Sequence, residues 1–83
     1  MEKILKALAN KRRLAISRYL KSREEAPVGD IAKEIGLSFR STSRHLAILR
    51  AADILEKEQR SLSVFYRLSK DLKPIARYII KLL

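Results

Sequence analysis

The chain has 83 residues and a formal net charge of +10, with 19 lysines and arginines against nine aspartates and glutamates. A chain this short is expected to form one domain, residues 1–83, and a domain this basic is expected to bind a polyanion. The lack of cysteine excludes disulfides and thiolate metal sites, and a single histidine excludes histidine-rich metal clusters, so we predict no metal and no cofactor.

Two short helices are predicted at the start of the chain. Residues 2–9 place apolar side chains at helical spacing. Asn10 is a favoured N-cap for a second helix over 11–21, which contains no acidic residue. A polar connection over 22–27 ends this part of the chain.

The next segment predicts two helices joined by a tight turn. Pro27 suits the first position of a third helix, and Gly36 suits the left-handed residue that ends it. Ser38 can then cap a fourth helix with its hydroxyl. The third helix is expected to bury three apolar residues: Val28, Ile31 and Ile35.

The fourth helix is predicted to have one buried and one basic face. At about 100° per residue, Thr42, Leu46 and Leu49 form one stripe. The opposite face carries two arginines followed by two small residues: Arg40, Arg44, Ala47 and Ala51. An arginine can bind guanine or phosphate with two hydrogen bonds, and alanines allow a close approach to the major groove. We therefore predict that this helix reads DNA.

Serines lie beside these arginines in the N-terminal half of the helix, which usually meets base edges. The predicted DNA-binding residues of this segment are Ser38, Arg40, Ser41, Ser43 and Arg44. From Ile35 to Ala52 the chain has three arginines and no carboxylate. The alternative is that the arginines merely form the solvated face of a surface helix; the preceding helix and turn favour the DNA reading.

A β-hairpin is predicted after Ala52, because two runs alternate apolar and polar residues around a polar turn at 60–62. Lys57 and Arg60 could lie along a phosphate backbone or in a minor groove. The alternative is a tip that is simply solvated.

The last segment, residues 71–83, predicts a helix with more apolar surface than one contact requires. We expect one side to cover the core and the other, together with the helix 2–9, to meet a second copy of the chain. The alternatives are that a small core uses all of this surface, or that the last leucines fray. The predicted interface residues are Ile4, Leu5, Leu8, Ile75, Tyr78, Ile79 and Leu82.

Four segments together resemble the ArsR-type winged-helix transcription regulators: LKALANKRRLAISRYL, PVGDIAKEIGLS, SFRSTSRHLAILRAADIL and VFYRLS. The resemblance runs from Leu5 to Leu83 and implies a mostly α fold, a winged helix-turn-helix of about five helices with a two-stranded wing. It also implies a homodimer that places two recognition helices in successive major grooves, about 34 Å apart.

The chain departs from this family in ways that bear on function. The cysteine pair of the metal sensors is absent, and the last helix offers Asp71 but no histidine for a second type of metal site. Asp53 stands where the family usually has a glycine, and aspartate tolerates the left-handed conformation better than most residues. Glu56 and Glu58 make the wing less basic than is usual in the family.

These observations predict a sequence-specific regulator that binds double-stranded DNA as a homodimer, and the family resemblance alone implies that it acts as a repressor. Two alternatives keep the fold: a sequence-tolerant architectural DNA-binding protein, and a module that binds other proteins. An enzyme is not expected, because the chain lacks a phosphate-binding glycine loop and His45 has no cysteine partner. Without a membrane-spanning run or the apolar core of a signal peptide, the protein is expected to be cytoplasmic, with no membrane contact.

Overall fold

The computed structural model describes all 83 residues, Met1–Leu83, as five helices and three strands. They are α1 (Glu2–Leu8), α2 (Lys11–Lys21), β1 (Ala26–Pro27), α3 (Val28–Ile35), α4 (Phe39–Ala51), β2 (Leu55–Arg60), β3 (Ser63–Leu68) and α5 (Pro74–Lys81). The predicted five helices and hairpin are all present. None of the helices is long and apolar enough to cross a membrane.

The start of α2 follows the capping chemistry expected from the sequence. The side-chain oxygen of Asn10 accepts hydrogen bonds from the backbone N–H groups of Arg12 and Arg13, at 2.9 and 3.1 Å. These two N–H groups have no partner within the helix, so the cap removes a cost of burial at this end.

The sheet has three antiparallel strands in the order β1-β3-β2, one more than the predicted two-stranded hairpin. The extra strand is only two residues long, with Ala26 opposite Tyr66 and Pro27 opposite Phe65. Pro27 was also predicted to occupy the first turn of α3, but its backbone is extended (φ −76°, ψ 157°) and the helix begins at Val28. A proline φ suits both conformations, and proline is tolerated at a sheet edge because its missing N–H leaves no bond unmade there.

The core lies between the helices and the inner face of the sheet. Its most deeply buried large side chains come from α2, α3, α4 and the residue before β2: Ile16, Leu20, Ile31, Leu46, Leu49 and Ile54. Since three helices contribute to this one cluster, α4 is fixed against α2 and α3 along its length. The opposite side of α4 is therefore held rigidly toward solvent.

In the two terminal helices, the core buries some of the residues that were predicted to face a second copy of the chain. Ile4 and Leu8, predicted as interface residues, are buried in the core of their own chain. Helix α5 begins at Pro74 rather than residue 71, and it turns Ala76 and Ile80 inward. When a helix has apolar residues on several sides, its sequence does not indicate which side faces the core. In this structure the core buries Ile4, Leu8, Ala76 and Ile80.

The rest of the predicted interface remains accessible. Leu5 is exposed, Ile75 and Ile79 are half-buried, and Tyr78 and Leu82 are 64% and 70% exposed. Apolar side chains left at the surface on neighbouring helices form the kind of patch that a protein partner covers.

Candidate nucleic-acid interface

A glycine and a serine fix the turn between α3 and α4. Gly36 has φ +68° and ψ 36°, the left-handed conformation predicted for it, and the N–H of Leu37 donates to the carbonyl of Ala32 at 3.1 Å. A Cβ added at Gly36 would meet no atom within 4 Å, so glycine is needed there for its backbone freedom and not for space. Two residues later, the Ser38 hydroxyl accepts from the N–H of Ser41 at 3.0 Å and begins α4 as predicted.

Helix α4 is buried on the face that the sequence predicted. Thr42, Leu46 and Leu49 have no exposed surface. The Thr42 hydroxyl oxygen has no hydrogen-bond partner, which is uncommon for a buried polar atom. The stripe locks the rotation of α4 about its own axis, because turning the helix would expose these side chains.

The opposite face of α4, here called the recognition face, carries Arg40, Arg44, Ala47 and Ala51, and all four are exposed. Neither arginine has a hydrogen-bond or ion-pair partner within the chain. Ser41 and Ser43 flank them and are half-buried, whereas the cap Ser38 is exposed. Two unpaired guanidinium groups, followed by small side chains on a fixed helix, are free to bind an anionic or hydrogen-bonding surface.

The end of α4 confirms what the sequence indicated for Asp53. Its backbone is left-handed, with φ 60°, at the position where a glycine is usual in the family. The N–H of the next residue, Ile54, donates to the carbonyl of Leu49 at 3.0 Å and closes the helix end. Ile54 and Leu55 then enter the core, so this single residue directs the hairpin back along α4.

The two faces of the hairpin carry different charges. Lys57 lies opposite Tyr66, on the face that packs toward the core. It borders a shallow groove beside α4 that is also lined by Arg50 and by the carboxylates of Asp53 and Glu56. Lys57 has no ion-pair partner and is exposed. A free cation therefore stands on the side of the wing that borders the recognition face.

Arg60, in contrast, is bound on the outer face of the sheet. Its guanidinium forms a two-point contact with the Glu25 carboxylate and a hydrogen bond of 3.0 Å to Glu58, and it stacks 4.6 Å from the centre of the Phe65 ring. Arg60 lowers the pKa of both carboxyl groups, chiefly by hydrogen bonding, and they raise its own pKa. The sequence predicted a free cation at the hairpin tip; that its charge reaches DNA stays a prediction, and these pairs weigh against it.

Arg67 completes the same network. It contacts Glu56 at 3.3 Å, Glu58 at 3.2 Å and Glu25 at 3.8 Å. With Arg60, the network holds three carboxylates and two guanidinium groups, so the outer face of the wing has no excess positive charge. This pairing accounts for the two glutamates that make the wing unusually acidic.

A polar contact that the sequence did not reveal connects α1, α2 and α4. The Arg13 guanidinium donates to the Ala7 carbonyl at 2.5 Å and the Lys6 carbonyl at 3.3 Å, and to His45 Nδ1 at 3.1 Å. It therefore caps the end of α1 and holds the middle of α4. Burial, and then the charges of Arg13 and Arg12, lower the pKa of His45, which keeps Nδ1 available as an acceptor. Arg13 lies in the segment LKALANKRRLAISRYL that carries the family resemblance, but the sequence did not indicate these contacts.

The sequence of residues 8–58 matches a family described as a helix-turn-helix domain. The chain is 37% identical over 67 residues to nodulation protein NolR of Rhizobium meliloti, which covers 81% of this chain and 54% of NolR. It is 39% identical over 66 residues to the transcriptional activator HlyU of Vibrio cholerae, which covers 80% of this chain and 60% of HlyU. The chain thus spans somewhat more than half the length of these two relatives.

Solved structures match the fold over nearly the whole chain. Reduced HlyU from Vibrio cholerae has a TM-score of 0.83 at 36% identity, covering 98% of this chain and 81% of the HlyU chain. The transcriptional repressor BigR from Xylella fastidiosa has a TM-score of 0.80 at 29% identity, covering 96% and 75%. Together with the helix-turn-helix geometry, these matches show that the chain belongs to the ArsR-type winged helix-turn-helix transcription regulators.

Proposed function

We propose that the chain is a sequence-specific regulator that binds double-stranded DNA as a homodimer and works in the cytoplasm. One observation carries the proposal: Arg40 and Arg44 are unpaired and exposed on a helix whose other face is completely buried. The proposal assigns no catalytic role to any residue. Family membership supports it, because regulators of this kind act through DNA.

The recognition face suits the major groove in chemistry and shape. A guanidinium can donate two hydrogen bonds to O6 and N7 of guanine, and a bidentate pair of this kind discriminates bases by about 1–3 kcal/mol. Ser41 and Ser43 can donate or accept beside it. Ala47 and Ala51 allow the C-terminal half of α4 to lie close to the groove wall.

The wing contributes sequence-independent contacts through Lys57. This lysine is unpaired and borders the recognition face, so its ammonium can neutralise a phosphate beside the groove that α4 occupies. Arg60 is held by Glu25 and Glu58 on the other face of the sheet. We therefore assign the phosphate contact of the wing to Lys57.

Dimerisation would place two recognition faces on one DNA duplex. The exposed or half-buried apolar residues of the terminal helices would form its interface: Leu5, Ile75, Tyr78, Ile79 and Leu82. A twofold dimer of this family implies a near-palindromic site with half-sites separated by about 34 Å, one turn of DNA.

The dimer can be tested apart from DNA. Tyr78→Glu places a charge in the proposed interface and should yield a monomer in sedimentation equilibrium, whereas the wild type sediments as a dimer. Leu62→Glu is the matched control, because Leu62 is also exposed but lies at the hairpin tip. A monomeric wild type, or a dimer that tolerates Tyr78→Glu, would contradict the assignment of this interface.

Repression is proposed because a protein bound over a promoter excludes the polymerase. The names of the relatives include both directions of regulation, since BigR is named a repressor and HlyU an activator. In vitro transcription from a promoter that contains the bound site should decrease when protein is added. An increase in transcription would mean that the protein is an activator, and it would leave the DNA-binding proposal intact.

The DNA-binding proposal is tested by sequencing fragments of the source genome captured by the purified protein at physiological salt. The wild type should enrich a few near-palindromic sites, and Arg44→Ala should lose them. Arg18→Ala is the control, because Arg18 is exposed on α2 and forms no hydrogen bond or ion pair within the chain. Loss of the same sites in both variants would mean that charge alone matters.

A second candidate is an architectural DNA-binding protein, favoured by the net charge of +10. Such a protein would capture fragments uniformly and show a steep dependence on salt. Absence of capture would instead favour a module that binds other proteins.

A further inference from the structure

An exposed phenylalanine stands at the first position of the recognition helix. Phe39 is 64% exposed, although a buried phenylalanine would remove a large apolar area from water. The helix does not need this side chain, since the Ser38 cap and the buried stripe already fix its start and rotation. Phe39 therefore contributes little to the fold for a side chain of its size.

The ring lies directly before Arg40 in the chain, at the N-terminal end of the helix that carries the proposed DNA-binding arginines. It borders a small open hollow between the start of α3 and the hairpin tip, lined by Pro27, Gly29, Leu62 and Val64 among others. Nothing lies within 4 Å of where a Cβ of Gly29 would be, so the hollow is open on this side. The ring is thus open to a ligand that approaches the N-terminal end of α4.

The hollow beside the ring is lined by uncharged, mostly apolar residues, and the helix that carries the ring is basic, which suits a ligand with an apolar group on an anionic backbone. No carboxylate occurs between residues 35 and 52, and the unpaired Arg40 and Arg44 lie on the same helix. In the major groove, the apolar group that identifies a base is the 5-methyl of thymine, and phenylalanine is one of the side chains that contact it. The N-terminal residues of a recognition helix are the ones that reach base edges.

We propose that Phe39 is a specificity-determining residue that selects thymine, through contact with its 5-methyl group, at the edge of each half-site. This inference rests on the proposed function. Phe39 should prefer thymine over cytosine, because cytosine lacks the methyl group. This contact adds to the contact that the arginines make with guanine.

The test is a double-mutant cycle between the protein and the DNA. Uracil differs from thymine only in lacking the 5-methyl group, so each thymine of a captured site is replaced by uracil in turn and the dissociation constant is measured. One replacement in each half-site should weaken wild-type binding about fourfold, the value expected for one buried methyl. Phe39→Ala should bind more weakly than the wild type and be insensitive to the same replacement.

Two further variants serve as controls for the contact between Phe39 and the methyl group. Phe39→Leu keeps an apolar contact and should retain part of the uracil effect. Ile48→Ala removes an exposed apolar side chain about 13 Å further along the same helix and should retain the full effect. Circular dichroism of Phe39→Ala should match that of the wild type, because the ring is exposed.

The outcomes separate the two proposals. A uracil effect of equal size in wild type and Phe39→Ala, or none in either, overturns the role of Phe39 while leaving specific DNA binding in place. If Phe39 and the 98% exposed Leu62 instead form a docking patch for another protein, the wild type and Phe39→Ala should likewise respond equally to uracil. Absence of any selected site overturns the proposed function and this inference with it.

Discussion

Replacing Arg13 by alanine should destabilise the domain, because one side chain holds three helices together. The guanidinium bonds the last turn of α1 through the Ala7 and Lys6 carbonyls and reaches His45 in the middle of α4. Alanine would leave the end of α1 uncapped and the His45 Nδ1 atom without its donor. The exposed bond to Lys6 contributes least, since water can replace it.

The magnitude follows from the two part-buried bonds. Hydrogen bonds of a charged donor contribute about 1.5–3 kcal/mol each when buried, and partial exposure reduces this to roughly 1 kcal/mol each. The expected loss in the free energy of unfolding is therefore about 2 kcal/mol. For a domain of this size, that corresponds to a fall in Tm of roughly 8–16 °C.

The assay is thermal and urea unfolding of the wild type, Arg13→Ala and Arg18→Ala. Arg18 lies on the same helix, is exposed and forms no hydrogen bond or ion pair, so its loss should change stability by less than about 0.5 kcal/mol. Arg13→Lys keeps the charge but not the forked geometry, so its stability should lie between the two. If Arg13→Ala loses no more than Arg18→Ala, the role of Arg13 as a connection between helices is wrong.

Three other predictions concern the cap, a titration and the wing. Ser38→Ala removes the N-cap of α4 and should cost about 1 kcal/mol in unfolding, with Ser38→Asn as the variant that restores it. Because His45 is the only histidine and its pKa is lowered from 6.5 in the folded chain, the unfolded chain binds a proton first as the pH falls. Stability should therefore decrease as the pH falls through about 6.5, the ordinary pKa of histidine, and His45→Gln, which keeps an acceptor, should flatten this dependence. An unchanged profile would contradict this role of His45. Lys57→Ala should reduce the salt dependence of DNA binding by about one ion, whereas Arg60→Ala should not, since Glu25 already matches its charge. Equal slopes for the two variants would refute that distinction.

The helix-turn-helix was predictable because local rules determine it. A period of 3.6 separates the buried stripe of α4 from its arginines, and the chemistry of Gly36, Ser38 and Asp53 determines where helices end. In the structure, Gly36 and Asp53 have left-handed backbones and Ser38 caps α4, as their residue types predicted. The exposed basic side of α4 could therefore be identified from the sequence alone.

The features that were missed depend on residues far apart in the chain. Arg60 is bound by Glu25, 35 positions away, and no local pattern indicates that pair. Strand β1 has two residues, too few for an alternation to be visible, and one of them is Pro27. Ile4 and Leu8 have the spacing of an interface as well as of a core, and only packing decides between the two.

The most direct test of the central claim is a comparison of the affinity of wild type and Arg44→Ala for a captured site and for a scrambled duplex of equal length. The account predicts that Arg44→Ala weakens binding to the captured site about 5-fold to 150-fold and relaxes the preference at one base position, with a much smaller effect on the scrambled duplex. Equal losses on both duplexes, or no loss on either, would mean that the recognition face does not read bases.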